Sequence, residues 1–463
     1  MPGTPSPVAE TAFPQGEYGN QSLVRHNVPM SASVIADLVA RGRIADSTDQ
    51  QALAEALESP VTFYCGFDPT APSLHVGSLA TLLEMRRLQE RGHHPIVLVG
   101  GATGMIGDPK ESGERTLNAI DTVREWTERL RDQASSFVDF SGSNAAIMAD
   151  NYAWTAELSA LDLLRAVGKH FSVNRMLDRE AVRARLEGNG ISYTEFSYVL
   201  LQSYDYLQLF RRHGCTLQIG GSDQWGNITA GVDLIRRVEG AHVHAFTLPL
   251  VVKSDGVKYG KTESGTVWLD AAMTSPWVFH QFWLNSADED IPMLLRTYSL
   301  KPLSEVEQLI ADSAQTPAGR IGQRALAAEM TALVHSVQEA ADVEAAAAAL
   351  FGAAVREGAA GLRALAESTL AAALAETHIE TWMPAQGPAE LSVVDALVMS
   401  GVVDSKGAAR RAIAEGGAYM NNERIADDSV DVTAEDLVHG RWLVMRRGKR
   451  TYGAVDASAL TAR

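Results

Sequence analysis

Residues 61–109 read VTFYCGFDPTAPSLHVGSLATLLEMRRLQERGHHPIVLVGGATGMIGDP, and the order of elements in this stretch decides the fold. Val61 to Phe67 has strand character and is bounded by the breaker Asp68-Pro69. A Thr70/Ser73 capping region follows, and a helix begins near His75, with Val76, Leu79, Leu82 and Leu83 at the three-to-four spacing of a helix packed on a sheet. Gly92 ends that helix, and Pro95 to Val99 is the next buried strand, running into GGATGMIGD. Strand, helix and strand in so short a span predict a parallel crossover, the unit of a doubly wound α/β sheet. Ligands of such sheets sit at the carboxyl ends of the strands and at helix N-termini, where backbone N–H groups attract phosphate. Asp68, Thr70 and His75 fall there.

The rest of the composition limits the class. A chain of 463 residues has room for two or three domains. Its 46% apolar and 21% charged content is that of a globular protein, and no apolar run approaches the ~18 residues of a membrane span. Residues 1–30 lack the basic start and apolar core of a signal peptide and read as a disordered Pro/Gly/Ser-rich tail, so a cytoplasmic protein is expected. Cys65 and Cys215 have no metal-ligand spacing; no protein-held metal is expected. The net charge of −17 argues against indiscriminate nucleic-acid binding. The segment from Leu391 onward, however, balances ten Lys/Arg against ten Asp/Glu, which points to a separate C-terminal module with its own partner.

Along the chain, helical spacing is expected over 31–58 and 116–139, a strand over 146–149, and helices over 159–170 and 178–187. In the aromatic-rich helix 192–210, Tyr198, Gln202 and Asp205 recur at i, i+4 and i+7 and share one face. They either line a cavity or belong to a tyrosine-rich core helix. A strand over 216–220 feeds GSDQWGN and a helix over 222–238, and a strand over 246–252 delivers KSDGVKYGKTESGTVWLD. The paired lysines Lys258 and Lys261 in that flexible loop fit either closure over phosphates or a solvated surface. Residues 275–377 are helical in pattern, and 381–390 reads as a linker. Two short helices then lead to a hairpin turning at Asn421-Asn422 and to a strand over 441–455. Lys406, Arg410 and Arg411 lie on a helix and Arg446 and Arg447 on that strand: a footprint for a nucleic-acid backbone, or a solvated charged face. His93-His94 read as a surface turn, and GGATGMIGD fits neither a P-loop nor a dinucleotide fingerprint.

Taken together, YCGFDPTAPSLHVGS, QIGGSDQWGN and KYGKT resemble the HIGH region, the amino-acid pocket segment and the KMSKS loop of the bacterial tyrosyl-tRNA synthetases, a class I aminoacyl-tRNA synthetase family, over roughly residues 31–457. The resemblance implies a Rossmann-like catalytic domain (31–262), a helical anticodon-side domain (263–380) and, after the 381–390 linker, a small α+β RNA-binding domain (391–457) like one in a ribosomal small-subunit protein. It implies tyrosine--tRNA ligase activity with ATP as substrate, Mg2+ arriving with the nucleotide, tRNA(Tyr) as partner and a homodimer. By that resemblance, Tyr64 and Asp205 meet the substrate's phenolic hydroxyl, and Tyr198, Gln202 and Asp108, with Gln224 close by, hold its ammonium group. Asp68, Gly221 and Asp223 line the ribose side. Thr70, His75, Lys258 and Lys261 surround the phosphates, joined by Lys110 and Arg115 from the loop after Asp108.

One position departs from the family pattern: the motif's last histidine is Ser78, in HVGS, which suggests an auxiliary or inhibitor-tolerant copy. A tryptophan-specific relative, a paralogue adenylating tyrosine for another acceptor, and a catalytically dead RNA-binding protein are the rival readings. The Tyr64/Asp205 pair suits a phenol better than an indole, and the retained C-terminal module and the presence of His75, Asp205 and Lys261 count against the other two.

Overall fold

The structure, a computed structural model, describes residues 33–109, 118–188, 190–254, 256–262, 265–384, 390–448 and 451–461. The N-terminal tail, Lys110 and Arg115 lie outside the described residues. The chain forms two compact units. One runs to Val251 and takes back Leu300–Pro302; the other comprises Val252–Ser299 and the chain from Leu303 onward.

The first unit is a parallel sheet of five strands, β1 (Thr62–Phe67), β2 (His94–Val99), β3 (Ile147–Asp150), β4 (Leu217–Gly221) and β5 (His244–Leu248), in the order β3-β2-β1-β4-β5. The chain winds outward from β1 to β3 and then returns to lay β4 on the other side of β1. Between β1 and β4 the winding reverses, which opens a crevice at their carboxyl ends. The first crossover helix, Val76–Glu90, buries Val76, Leu79, Leu82 and Leu83 completely, each contributing ~1.5–3 kcal/mol relative to exposure. Its N-cap is His75, not a hydroxyl residue: the imidazole Nδ1 accepts the Ser78 N–H at 3.2 Å. Ser73 instead donates to the Leu74 carbonyl and pairs with Gln133.

Two other expectations are corrected. His93 is not on a surface turn. It is buried, its Nδ1 accepts the Val61 N–H at 3.2 Å, and burial pushes its pKa down to about 4, while His94 opens β2. The last strand stops at Leu248 because Pro249 has no N–H for the ladder. Between β3 and β4 lies a helical insertion that ends in the long helix Tyr193–His213, capped by the Ser192 side chain and closed by Gly214 in the left-handed region.

The second unit begins with the KYGKT segment. Seven α-helices follow among the described residues, from Pro276–Leu284 to Glu367–Ala375. A five-stranded sheet closes the unit in the order Glu423–Arg424, Ala418–Met420, Trp442–Arg447, Thr451–Asp456, His378–Thr381. The stretch expected as one strand is a hairpin, turned by Gly448 at φ 63°. Its edge strand, His378–Thr381, comes from ahead of the segment read as a linker. One face of the sheet packs on the helices Val393–Met399 and Lys406–Ala414. On the other, Val438, Trp442, Val444 and Ala454 share a core with Trp277, Val343, Leu350, Leu362, Leu370 and Leu374. No single helix among the described residues is long and apolar enough to cross a membrane.

Candidate active site

Midway along β1 the chain places Tyr64 in the core, and just past the strand's carboxyl end it places Asp68 at the rim. Tyr64 is 1% exposed, and its hydroxyl has no hydrogen-bond partner among the described residues. A buried hydroxyl left alone costs ~1–3 kcal/mol, so it marks a place where a ligand group can complete the structure. Burial first, and then the Asp205 charge, raise the Tyr64 pKa, which keeps the phenol protonated as a donor. Asp205 reaches the same region from helix Tyr193–His213. Its two oxygens accept from Trp154 Nε1 at 2.8 Å and Asn151 Nδ2 at 2.9 Å. Burial lifts its pKa to about 7 against the pull of those two donors. The set Tyr64, Asp205, Asn151 and Trp154 can therefore both donate to and accept from one hydroxyl deep in the sheet.

Nearer the rim, Asp68 accepts from Thr103 Oγ1 at 2.6 Å and Tyr198 Oη at 2.7 Å. Because Tyr198 donates its hydroxyl hydrogen bond to Asp68, its oxygen is left to face other groups as an acceptor. One turn on, Gln202 Oε1 is buried without a partner among the described residues. Across from them Asp108 accepts Gln224 Nε2 at 2.9 Å and Asn227 Nδ2 at 3.0 Å, and its charge helps raise the Tyr198 pKa. Tyr198, Gln202 and Asp108 are thus three acceptors of the kind an ammonium group requires. The GGATG run supplies close approach, not a phosphate loop: a Cβ on Gly100 would come within 2.0 Å of the Asp68 carboxylate. Gly77 does the same for the cap, since a Cβ there would meet the His75 ring at 2.8 Å.

His75 and Thr70 are exposed at this rim, with Ser78 beside His75 on the first turn of the helix. With Nδ1 accepting from Ser78 N–H, the neutral ring of His75 carries its hydrogen on Nε2, a donor to an anion. Gly221 ends β4 and Asp223 follows it, and a Cβ on Gly221 would strike Asp223 Oδ1 at 2.5 Å. The other expected site residues belong to the second unit. Lys258 is exposed, and the backbone of Lys261–Thr262 pairs with Gly265–Thr266. Between the lysines Tyr259 is buried, its ring 4.8 Å from Phe282 and 5.7 Å from Trp283, with its hydroxyl on Ser286. The loop is anchored by its tyrosine.

In the C-terminal sheet and helices, Lys406 pairs with Asp395 at 2.6 Å and Arg410 with Asp428 at 3.4 Å, while Arg411 and Arg447 are exposed. Arg446 does not join them. It is 7% exposed, stacks 3.7 Å over the Tyr419 ring and donates to the Gly448 carbonyl, so its fork is used inside the module.

Sequence reasoning missed Asn151, Trp154, Thr103, Asn227 and Tyr259. Asn151 and Trp154 had one signal, polar and indole side chains directly after a strand; Asn227, Tyr259 and Thr103 lie inside QIGGSDQWGN, KYGKT and GGATGMIGD, where the motif gave their neighbourhood but not their role.

A family model described as tRNA synthetases class I (W and Y) matches residues 56–352. Another, described as the tyrosine--tRNA ligase SYY-like C-terminal domain, matches residues 377–455 and so takes in the edge strand. The chain is 54% identical to a tyrosine--tRNA ligase of Corynebacterium glutamicum, covering 92% of this chain and 99% of that protein. It is likewise 54% identical to one of Thermobifida fusca, covering 91% and 99%. Among solved structures it is similar to a C-terminally truncated mitochondrial tyrosyl-tRNA synthetase of Aspergillus nidulans, with a TM-score of 0.60 and 29% identity over 67% of this chain and 92% of that one.

Proposed function

Because this chain belongs to the class I tRNA synthetases of the tryptophan and tyrosine group, we propose that it is a tyrosine--tRNA ligase, joining tyrosine to ATP as tyrosyl-adenylate and then to the 3' end of tRNA(Tyr). The observation that carries the choice of amino acid is the orphaned Tyr64 hydroxyl beside Asp205. A phenol satisfies both groups, donating to the carboxylate and accepting from Tyr64; an indole has no oxygen to accept with. The ammonium group lies among Tyr198, Gln202 and Asp108.

The tyrosine carboxylate is itself the nucleophile, so attack on the α-phosphate needs no general base. The site contributes position and charge: His75 Nε2–H and Thr70 as donors, Lys258 and Lys261 as cations, with Lys110 and Arg115 from the loop after Asp108. Pyrophosphate leaves with Mg2+, which arrives with the nucleotide. Asp68, Gly221 and Asp223 take the ribose side. Tyrosine-dependent ATP–pyrophosphate exchange tests the assignment; exchange with tryptophan in its place, or none at all, would overturn it. The exposed apolar side chains Leu161, Leu164, Val173, Leu177, Leu186 and Tyr193 fit a homodimer, which sedimentation at working concentration tests. Lys406, Arg410, Arg411 and Arg447 are the proposed contacts to tRNA phosphates, and a cytoplasmic location goes with that partner.

Ser78 supplies its N–H to the His75 ring and leaves the nucleotide one imidazole fewer than the family motif does. Losing such a hydrogen bond is worth ~1 kcal/mol or somewhat more to a charged acceptor. Ser78→His is therefore expected to speed single-turnover adenylate formation about fivefold with tyrosine affinity unchanged, and to tighten binding of adenylate mimics. A mutant no faster and no tighter would remove any reason to regard this as an auxiliary, inhibitor-tolerant copy.

A further inference from the structure

Arg179 lies ahead of helix Glu180–Glu187, far in sequence from every motif, yet its guanidinium reaches the start of helix Trp225–Glu239. Nη1 donates to Asn227 Oδ1 at 2.7 Å and Nη2 to the Gly226 carbonyl at 2.7 Å. A guanidinium has donors only, so the amide facing it must present its oxygen. That fixes which way Asn227 points: Nδ2 turns to Asp108 Oδ1 at 3.0 Å and to Gln224 Oε1 at 3.2 Å. Gln224, its oxygen now accepting, must in turn present Nε2 to Asp108 Oδ2 at 2.9 Å. The same Nε2 is 3.3 Å from Asp223 Oδ2. Both amides are thus held between a donor-only guanidinium at one end of the chain of contacts and an acceptor-only carboxylate at the other, and Arg179 fixes the plane from which they place Asp108.

We propose that Arg179 is a positioning residue for recognition of the substrate ammonium group, acting through the fixed orientations of Asn227 and Gln224 on Asp108. The inference rests on the reading of Asp108 as an ammonium acceptor. Without Arg179 the Asn227 oxygen loses its donor, and the amide is free to swing out of the plane in which Nδ2 bridges Asp108 Oδ1 and Gln224 Oε1. The carboxylate would then lose its fixed placement. Lysine keeps the charge but has no fork, so it can hold Asn227 or the Gly226 carbonyl and not both in one plane. Burial lowers the Arg179 pKa to about 10 while the Asp108 charge opposes the shift, consistent with a cation held close to that carboxylate.

The test compares the full-length protein with Arg179→Met, Arg179→Lys, Asn227→Ala and the Arg179→Met/Asn227→Ala double variant in pyrophosphate exchange. Contacts in one hydrogen-bond network couple by ~0.5–3 kcal/mol, so Arg179→Met is expected to raise KM for tyrosine about tenfold, with KM for ATP unchanged and Arg179→Lys intermediate. Two competitive inhibitors separate positioning from general damage. Tyramine keeps the ammonium group and should weaken in parallel with tyrosine; 3-(4-hydroxyphenyl)propionate lacks it and should bind the variants as it binds the parent. In the double variant, loss of Arg179 should add nothing to loss of Asn227. Equal weakening of both inhibitors, weakening of neither, or additive effects in the double variant would overturn the proposal. Failure of the underlying function reading is distinguishable, because the unaltered protein would then show no tyrosine-dependent exchange.

Discussion

Asp205→Ala is expected to weaken tyrosine binding by about a hundredfold and to leave phenylalanine binding nearly unchanged, so that discrimination between the two collapses. A hydrogen bond from a phenol to a charged acceptor contributes ~1.5–3 kcal/mol, and the variant loses that bond while leaving the donors of Trp154 and Asn151 turned into the pocket. The parent should also show the titration of this group. With a pKa of about 7 in the folded chain, only the ionised fraction accepts the phenol's hydrogen bond at full strength, so tyrosine should bind about tenfold more weakly at pH 6 than at pH 8. That slope should vanish in the variant. Stability runs in the opposite direction. The folded pKa is raised above the ordinary 3.8, so the unfolded chain ionises first and this group's contribution to stability is lost as pH rises from about 4 to about 7. The alanine variant lacks that loss, and its destabilisation relative to the parent should be larger at pH 5 than at pH 8. Intact tyrosine affinity in equilibrium binding, or a pH profile that survives the substitution, would refute the assignment.

The same carboxylate shows where reading the sequence stops. That Asp205 shares a helix face with Tyr198 and Gln202 follows from spacing alone, and helix Tyr193–His213 presents all three as expected. What Asp205 is bonded to does not follow: Asn151 and Trp154 arrive from the end of β3, brought near by a sheet order in which β3 and β4 lie on opposite sides of β1. The β1–helix–β2 unit was legible because two periodicities, one of strand and one of helix, alternate cleanly within it. Charge was read less well than periodicity. Arg446 and His93 look like surface residues by type, and each is buried because aromatic rings or a backbone N–H supply what water would have supplied. Tyr259 looked like spacing between two lysines, and it is the side chain that fastens their loop.

Burial of the C-terminal sheet likewise governs what removing it should do. From sequence alone, a chain ending near Gly387 would be trimmed of an independent module through a linker and left otherwise intact. In the structure that cut would strip away Trp442, Val438, Val444 and Ala454, the cover over Trp277, Leu350, Leu362 and Leu370, and would leave strand His378–Thr381 without its partner Thr451–Asp456. Polar ties cross the same junction: Asn422 Nδ2 donates to the Ala349 carbonyl at 2.9 Å, and Arg363 to the Glu435 carbonyl at 2.6 Å. Each large apolar side chain returned to water costs ~1.5–3 kcal/mol, and several such losses match the ~5–15 kcal/mol that holds a whole domain folded. The truncated chain is therefore expected to lose the cooperative unfolding transition of the helical region, to bind a hydrophobic dye, and to be cut by protease between Pro276 and Ala375. Tyrosine binding, which depends on the first unit's sheet, should persist. Trp442→Ser in the full-length protein should reproduce the loss in smaller degree, at ~3–5 kcal/mol for emptying so large a buried site. A chain ending at 387 that melts as the parent does, with its helices equally protected, would mean that the sheet only rests on the helices and shares no core with them.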